Sequence, residues 1–171
     1  RALARLYMPV VRVMADRLAV SSRALAEHYF GGGNWPRGMR VLYSTVDLSE
    51  FRPRVERAVT RERLHVTCET LIGMVGNLQP SKGHLEFVRA AAILKTHFKG
   101  RLKFVIVGRE LELWTGFAAS VKREIGRLGI GEDIVLAGYR SDIADVLAAM
   151  DILVVPSRWE PLGVIVMEGM A

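Results

Sequence analysis

From residue 71 to the end of the chain, short apolar runs alternate with longer amphipathic stretches, and no other feature of the sequence limits the fold as strongly. The apolar runs that we interpret as strands cover residues 71–75, 103–107, 134–137 and 152–156. Continuously apolar strands are typical of a parallel sheet that is buried on both faces. Because crossovers between parallel strands are right-handed, their helices cover both sides of such a sheet. The pattern predicts an α/β fold with a Rossmann-like, doubly wound parallel sheet.

The amphipathic stretches between these strands predict three helices, over residues 84–98, 112–128 and 142–149. A further helix is predicted to begin near Val164. Before residue 71 the pattern is less regular, with helical spacing over 3–14, a short strand at 18–20, a helix at 23–30 that Ser21 and Ser22 can cap, and a strand at 40–43. The polar stretch 47–69 has little apolar periodicity, and we predict a linker or domain boundary there.

The formal net charge of +6 lies entirely in the first 66 residues, which contain twelve Arg, no Lys and six acidic residues. Such a segment is compatible with binding to nucleic acid or to an anionic membrane surface. The sequence has no run of basic residues and no aromatic motif of a known nucleic-acid reader, so we favour a solvated arginine-rich face and predict no nucleic-acid partner. A single cysteine, Cys68, excludes an intramolecular disulfide and fits a reducing, cytoplasmic location. No apolar run approaches the roughly 18 residues that span a bilayer.

The segment from Gly76 to Gly83, with the sequence Gly-Asn-Leu-Gln-Pro-Ser-Lys-Gly, lies between a predicted strand and a predicted helix. Free N–H groups and the positive end of the helix dipole attract an anion at such a position, and Lys82 would pair with it. The segment is not a Walker A loop, because Lys82 is followed by Gly83 rather than Ser or Thr, and it lacks the G-x-G-x-x-G spacing. We predict a phosphate site here, with a plain surface lysine as the alternative.

A second strand, loop and helix start occur between Pro156 and Glu168. Gly163 would let a ligand approach the backbone closely, and the N–H groups that follow it would point at that ligand. Side chains on a helix tilt toward its N-terminus, so Glu168, about one turn into the helix, can lean back toward the same ligand. The alternative is that Glu160 and Glu168 only complement the helix dipole.

Taken together, these segments resemble the GT-B glycosyltransferases of the large retaining family 4, also known as glycosyl transferases group 1. The matching segments are residues 17–21, Val46-Asp47 with Phe51 and Pro53, residues 76–83, 105–108, 135–139 and 151–157, and the pair Glu160 and Glu168 with seven residues between them. The resemblance implies that residues 1–53 are the end of an N-terminal acceptor domain and the interdomain segment. It implies that residues 54–171 are the C-terminal, nucleotide-sugar-binding half of the fold, truncated at its C-terminus.

The resemblance also implies roles for individual residues. Lys82 would contact the donor diphosphate, Glu168 the ribose hydroxyls, and Glu160 the region of the sugar and phosphates, so that Glu160 and Lys82 are the predicted catalytic residues. The predicted donor-binding residues are Gly76, Asn77, Lys82, Tyr139, Arg140, Glu160, Leu162, Gly163, Val164 and Glu168. The sequence has no D-x-D motif and its histidines lack metal-like spacing, so we predict no metal and no other cofactor.

Two positions depart from the family pattern. Asn77 stands where the family usually has an Arg in the phosphate loop, and Ser44-Thr45 stands where Asn-Gly usually precedes the interdomain Val-Asp. The first departure predicts that one of two cationic contacts to the diphosphate is missing or is supplied by another residue. We expect altered donor affinity or donor choice as a result.

The implied reaction is transfer of a sugar from a nucleoside-diphosphate sugar, with retention at the anomeric carbon, to a glycan, lipid-linked or small-molecule acceptor. We expect a cytoplasmic protein, and peripheral contact of the intact protein with the inner face of the membrane stays open. The resemblance implies further residues before Arg1 and after Ala171, so we expect the chain to be inactive alone. Two other classes stay open: a non-catalytic nucleotide or nucleotide-sugar binding module, and an interaction protein that uses its arginine-rich front.

For three side chains near the motifs, we state where we expect them to lie. His84 directly follows the phosphate loop, and we expect it on the solvated surface of its helix. Tyr139 and Trp159 are predicted to pack either against the donor base or within the core.

Overall fold

The computed structural model describes residues 9–11, 13–31, 35–49, 51–67 and 70–171. Their contacts define two compact units, of which the first is Arg1–Val46 with Glu160–Val164 and the second is Asp47–Trp159 with Ile165–Ala171. This division assigns residues 47–53 to the second unit, whereas the sequence-based boundary after residue 53 stays a prediction.

The first unit contains two short parallel strands, β1 (Ala19–Val20) and β2 (Arg40–Val41), joined through helix α1 (Arg23–Phe30). The Ser22 side chain caps α1, because its Oγ accepts a hydrogen bond of 3.0 Å from the Leu25 N–H. The predicted strand, helix and strand are confirmed, although each strand pairs over two residues only. Residues 9–11 and 13–14 are helical, and the rest of the predicted helix at 3–14 lies outside the described residues.

The second unit is built on a four-stranded parallel sheet of order β5-β4-β3-β6. Its strands are β3 (Thr70–Val75), β4 (Leu102–Val107), β5 (Ile134–Gly138) and β6 (Ile152–Leu153). The helices are α2 (Arg57–Arg63), α3 (His84–His97), α4 (Phe117–Arg127), α5 (Ile143–Ala149) and α6 (Val164–Met170). Among the described residues, no helix combines the length and the apolar character that crossing a bilayer requires.

Side-chain alternation along the strands divides the core of this unit into two layers. On β4, Phe104 and Ile106 pack with the apolar residues of α3 and α4, whereas Val105 and Val107 pack on the other side with Val146 of α5. Successive strand residues point to opposite faces, so a continuously apolar strand can fill both layers. The predicted doubly wound parallel sheet is confirmed.

A helix interrupts the segment that the sequence suggested as a linker. α2 lies within residues 47–69, with Thr60 completely buried and with Leu64 and Val66, just beyond the helix, in the core layer of α5. The Arg61 Nε donates a hydrogen bond of 3.0 Å to the Ala149 carbonyl oxygen at the end of α5. The linker interpretation is wrong where α2 forms, and the alternative of a domain boundary within 47–69 stays a prediction. Thr60 and the apolar residues just beyond the helix attach α2 to the core, although three of its seven residues are arginines.

Two predicted elements are shorter than expected. The stretch 112–128 is not one helix: a 3₁₀ turn (Glu112–Trp114) is separated from α4 by Gly116, whose φ of 89° is left-handed. The strand predicted over 152–156 pairs as β6 over two residues, and the chain then continues extended, with the Val154 N–H donating to the Gly73 carbonyl oxygen at 2.8 Å. The order of elements is nevertheless the predicted one.

Asp151 joins α2 to the sheet. Its carboxylate accepts hydrogen bonds from the Leu71 N–H and from Arg61 Nη2, both at 2.6 Å, and it also forms an ion pair with Arg57. Burial of Asp151 acts to raise its pKa, but the bonds from Leu71 and the two arginines outweigh this effect and hold the pKa below its usual value.

A close approach of two backbone segments fixes the residues that follow β3 and β6. Gly83 lies between the 3₁₀ turn Pro80–Lys82 and α3, with a left-handed φ of 77°. A Cβ added to Gly83 would collide with the carbonyl oxygen of Pro156, in the segment after β6. No side chain separates the two segments. The position of the phosphate loop, by which we mean residues 76–83, therefore depends on glycine at residue 83.

We predict that Asp151→Asn lowers the free energy of unfolding at pH 7 by about 1–3 kcal/mol, because charge-assisted hydrogen bonds are lost. The folded-state pKa lies below the unfolded one, so this stabilisation is present above the ordinary aspartate range and disappears as the pH falls through the folded-state pKa. Urea denaturation of both proteins over decreasing pH measures it: the two stabilities should converge in acid. Arg57→Gln is the control, since loss of this half-exposed partner should cost less than about 1 kcal/mol. Equal stabilities at pH 7 would contradict the assignment.

We predict that Gly83→Ala destabilises the protein more than Gly116→Ala, although both glycines have left-handed φ. A left-handed alanine costs about 1–2 kcal/mol, and this should be the whole effect at Gly116, where a Cβ meets nothing within 4 Å. At Gly83 the collision with Pro156 should add about 1–3 kcal/mol, as overpacking typically does. Chemical denaturation of the two variants gives the comparison, and equal losses would show that the Pro156 contact is unimportant.

Candidate functional site

A cavity of about 350 Å³ opens at the carboxyl ends of β3, β4 and β5. Open parallel sheets bind ligands at this edge, beyond the ends of their strands. The cavity is lined by Val75, Gly76, Asn77, Val107, Gly108, Tyr139, Arg140, Ser141 and Ile143. Four of the predicted donor-binding residues, Gly76, Asn77, Tyr139 and Arg140, therefore lie together, although they come from two separate loops.

Lys82 lies on the 3₁₀ turn that closes the phosphate loop, where its N–H donates to the Gln79 carbonyl oxygen at 3.1 Å. Its aliphatic chain runs over the start of the loop, since a Cβ built on Gly76 would lie 3.7 Å from Lys82 Cδ. The structure thus brings Lys82 and Gly76 together across the loop. Gly83, the residue before α3, provides no side-chain cap, so it places no anionic group at the start of the helix.

Neighbouring segments hold the loop in place from both sides. The Leu78 N–H donates to the Arg109 carbonyl oxygen after β4, and the Arg158 N–H donates to the Ser81 carbonyl oxygen, both at 2.9 Å. Arg158 also forms an ion pair with Glu86 on α3, and its hydrogen bond lowers the pKa of that carboxyl. The loop is therefore anchored mainly through its backbone.

The far side of the cavity carries an exposed ring and a paired arginine. Tyr139 is 66% exposed, so it belongs to neither core layer, and the Arg109 guanidinium carbon lies 5.3 Å from its ring centroid. Arg140 donates from Nε to Asp142 Oδ1 at 2.8 Å and makes a second bond to the same carboxylate. That bond lowers the pKa of Asp142, so the charge of Arg140 is largely balanced within the protein.

The residues of the second motif are divided between the two units. Glu160, Leu162, Gly163 and Val164 belong to the first unit, where the Ser22 hydroxyl donates to the Pro161 carbonyl oxygen, and they do not line the cavity. Glu168 belongs to the second unit and lies half-buried on α6, where burial raises the pKa of its carboxyl. α6 packs tightly on β6, because a Cβ added at Gly169 would lie 2.5 Å from Leu153 Cδ2. The assigned roles of all these residues stay predictions.

His84 is not on the helix surface, and that expectation was wrong. Its side chain is completely buried at the start of α3, with its ring edge-on to Phe117 at a centroid distance of 5.9 Å. Burial lowers the pKa of the imidazole, and this effect exceeds the opposing influence of the backbone at Gly76 and Gln79. The buried residues of α3 are His84, Phe87, Val88 and Ala91, a spacing of three, four and seven that the sequence contains.

Arg109 and Ser141 also belong to the cavity region, and sequence reasoning did not single them out. Arg109 directly follows Gly108 at the carboxyl end of β4, so the rule that ligands bind beyond strand ends would have found it. The described residues contain no cluster of three or more His, Cys, Asp or Glu side chains with the proximity that a metal site needs.

The sequence from residue 69 to residue 171 matches the family described as Glycosyl transferases group 1. A D-inositol 3-phosphate glycosyltransferase from Kineococcus radiotolerans is 32% identical over 168 residues, which cover 92% of this chain and 38% of the relative. The UDP-Gal:alpha-D-GlcNAc-diphosphoundecaprenol alpha-1,3-galactosyltransferase of Escherichia coli is 29% identical over 136 residues, covering 78% of this chain and 34% of the relative. The chain spans only about a third of the length of these relatives.

Solved structures with the same fold are more distant in sequence. Anabaena HepE in complex with UDP-glucose has a TM-score of 0.87 at 22% identity, covering 99% of this chain and 46% of that chain. WaaG, a glycosyltransferase involved in lipopolysaccharide biosynthesis, has a TM-score of 0.75 at 17% identity, covering 90% of this chain and 41% of that chain. The fold is that of the GT-B glycosyltransferases. Because the family match extends over more than half of its residues, the chain belongs to the glycosyl transferases group 1 family.

Proposed function

We propose that this chain is the donor-binding part of a glycosyltransferase that transfers a sugar from a nucleoside-diphosphate sugar to an acceptor, with retention at the anomeric carbon. The observation that supports this most directly is Lys82 lying across Gly76, next to a cavity at the carboxyl ends of three parallel strands. A cation at this edge, beside the start of α3, suits a diphosphate group.

The proposed chemistry depends on stabilising the charge of the leaving nucleoside diphosphate. Preorganised cations and N–H groups at a site that excludes water are effective at this task. Lys82 would supply the cation and the first N–H groups of α3 would supply hydrogen bonds, so the proposal requires neither a metal nor another cofactor. Glu160 would act near the sugar and phosphates, and Glu168 would bind the ribose, as the family resemblance implies.

The names of the relatives indicate which substrates to test first. The Escherichia coli relative is named for UDP-Gal and for a diphosphoundecaprenol acceptor, and the Anabaena structure contains UDP-glucose. We therefore propose uracil nucleotides as the first donors to test, with a glycan, lipid-linked or small-molecule acceptor. A lipid-linked acceptor would bring a cytoplasmic protein into peripheral contact with the inner face of the membrane.

The second candidate function is a binding module without transferase activity. It is favoured by the uncharged side chain of Asn77 at the cavity wall, which leaves the loop with Lys82 as its cation. The two functions are distinguished in the full-length protein: donor-dependent glycosylation of an acceptor supports the transferase, and tight donor binding without turnover supports the module.

We predict that Lys82→Ala weakens binding of UDP about tenfold or more and leaves binding of uridine unchanged, because charge-assisted contacts to phosphate contribute about 1.5–3 kcal/mol. Isothermal titration calorimetry of the 171-residue chain with both ligands measures this difference. Lys122→Ala removes the same charge from an exposed position on α4 and should change neither affinity. If Lys82→Ala weakens both ligands equally, Lys82 does not contact the diphosphate.

We predict that Glu168→Gln weakens UDP more than the analogue that lacks both ribose hydroxyls, because glutamine offers one acceptor oxygen where glutamate offers two. Glu160→Gln in the full-length enzyme should mainly lower transfer. Titration of both ligands, with melting temperatures recorded alongside, separates ribose binding from a structural role. A carboxylate that only complements the helix dipole would cost about 0.3–1 kcal/mol of stability and leave the ratio of the two affinities unchanged.

A further inference from the structure

The buried imidazole of His84 has no ordinary structural explanation. Among the described residues, no group forms a hydrogen bond of ordinary geometry with Nδ1 or Nε2, and the residue has no exposed surface. A buried polar group without a partner is costly, and nearly all such groups in folded proteins are paired. An apolar ring would fill the same space beside Phe117 without this cost. This cost indicates that a nitrogen of His84 forms a full hydrogen bond in another state of the protein, such as the ligand-bound state.

The backbone of the loop over residues 76–83 lies close enough to this ring to affect its protonation. The main chain at Gly76 and at Gln79 acts to raise the pKa of the imidazole, as a backbone hydrogen bond does, although neither contact has ordinary hydrogen-bond geometry. The carbonyl oxygens of these two residues therefore lie near the ring in the ligand-free protein. Lys82 opposes protonation and Glu86 favours it, both through their charges, and burial outweighs the rest. The neutral ring that results offers one N–H donor and one acceptor nitrogen.

The peptide group between Gly76 and Asn77 connects this ring with the cavity. Its carbonyl oxygen is pressed against Gly108, since a Cβ added there would collide with it. In a trans peptide the N–H points away from the carbonyl oxygen, so an inward carbonyl turns the Asn77 N–H outward. Asn77 lines the cavity, and within the described part of the chain its N–H donates no hydrogen bond.

We propose that His84 is a positioning residue for the donor diphosphate: its ring N–H binds a carbonyl oxygen of the loop backbone, at Gly76 or Gln79, when the diphosphate binds. This hydrogen bond fixes the plane of the loop peptides and holds the Asn77 N–H toward the phosphate oxygens. The assignment rests on the proposed function, because it requires that a diphosphate occupies this loop. It gives the loop a second anion-binding group besides Lys82, namely the backbone N–H of Asn77.

The decisive variant is His84→Phe, which keeps the ring shape and removes both nitrogens. We expect it to unfold at the same or a higher denaturant concentration than the wild type, since an unpaired buried polar group is gone. We expect its affinity for UDP, GDP or ADP, whichever the wild-type chain binds, to fall about tenfold, and its affinity for the corresponding nucleoside to stay unchanged. His84→Gln, which restores an N–H donor, should recover most of the lost affinity. His97→Phe makes the same chemical change at the exposed end of α3 and should alter neither ligand.

A structural role for His84 predicts the opposite combination, with lower stability and equal changes for nucleoside and diphosphate. A folded His84→Phe protein that binds the diphosphate as the wild type does would overturn the assignment. If that variant does not fold, the wild type decides by NMR: its His84 ring ¹⁵N signal should move on saturation with the diphosphate and not with the nucleoside, and an unmoved signal overturns the proposal. If the wild-type chain binds none of the three diphosphates, the proposed function fails first, and the role of His84 fails with it.

Discussion

The parallel pairing of β3, β4 and β5 is the constraint on which the site depends. β3 and β4 are buried on both faces, and the half-buried side chains of β5 also pack against the two core layers. The side chains of these strands are therefore committed to the core, and each strand offers its end to the cavity. Parallel pairing brings three such ends to one edge, and the loops that follow them form one cavity although they lie some sixty residues apart. The polar side chains of the cavity are therefore carried by loop residues, whereas its geometry is set by the hydrogen-bonded sheet.

The predictable part of the fold was the part in which apolar pattern and burial coincide. Strands β3, β4 and β5 and the helices between them follow directly from continuous or amphipathic apolar spacing. α2 was not predicted, because arginines dominate the composition of this segment. Its attachment to the sheet depends on Arg61 and Asp151, which are far apart in sequence. A pairing between distant residues of opposite charge has no periodic signature, so only the three-dimensional structure reveals it.

The site was predictable in its position and less so in its details. Gly76, Asn77, Tyr139 and Arg140 were expected together because motifs after parallel strands meet at one edge, and they do line one cavity. The pairing of Arg140 with Asp142 and the burial of His84 were not expected. Both depend on rotamers and on packing against neighbours. For His84, the assumption that a polar residue at a helix start faces water outweighed the spacing that it shares with Phe87 and Val88.

The contact between Gly83 and Pro156 has a consequence for how such a site can diversify. That contact is made by backbone against backbone, so a side chain at residue 83 has no room. The backbone position of the loop therefore does not tolerate substitution at residue 83. The cavity wall is different, because Asn77 and Tyr139 present exposed side chains that no core layer needs. Replacing them would change the surface of the cavity while the backbone around Gly83 keeps its shape. Under the proposed function, donor preference is separable from folding in this part of the chain, and Asn77 and Tyr139 are the positions at which to redesign it.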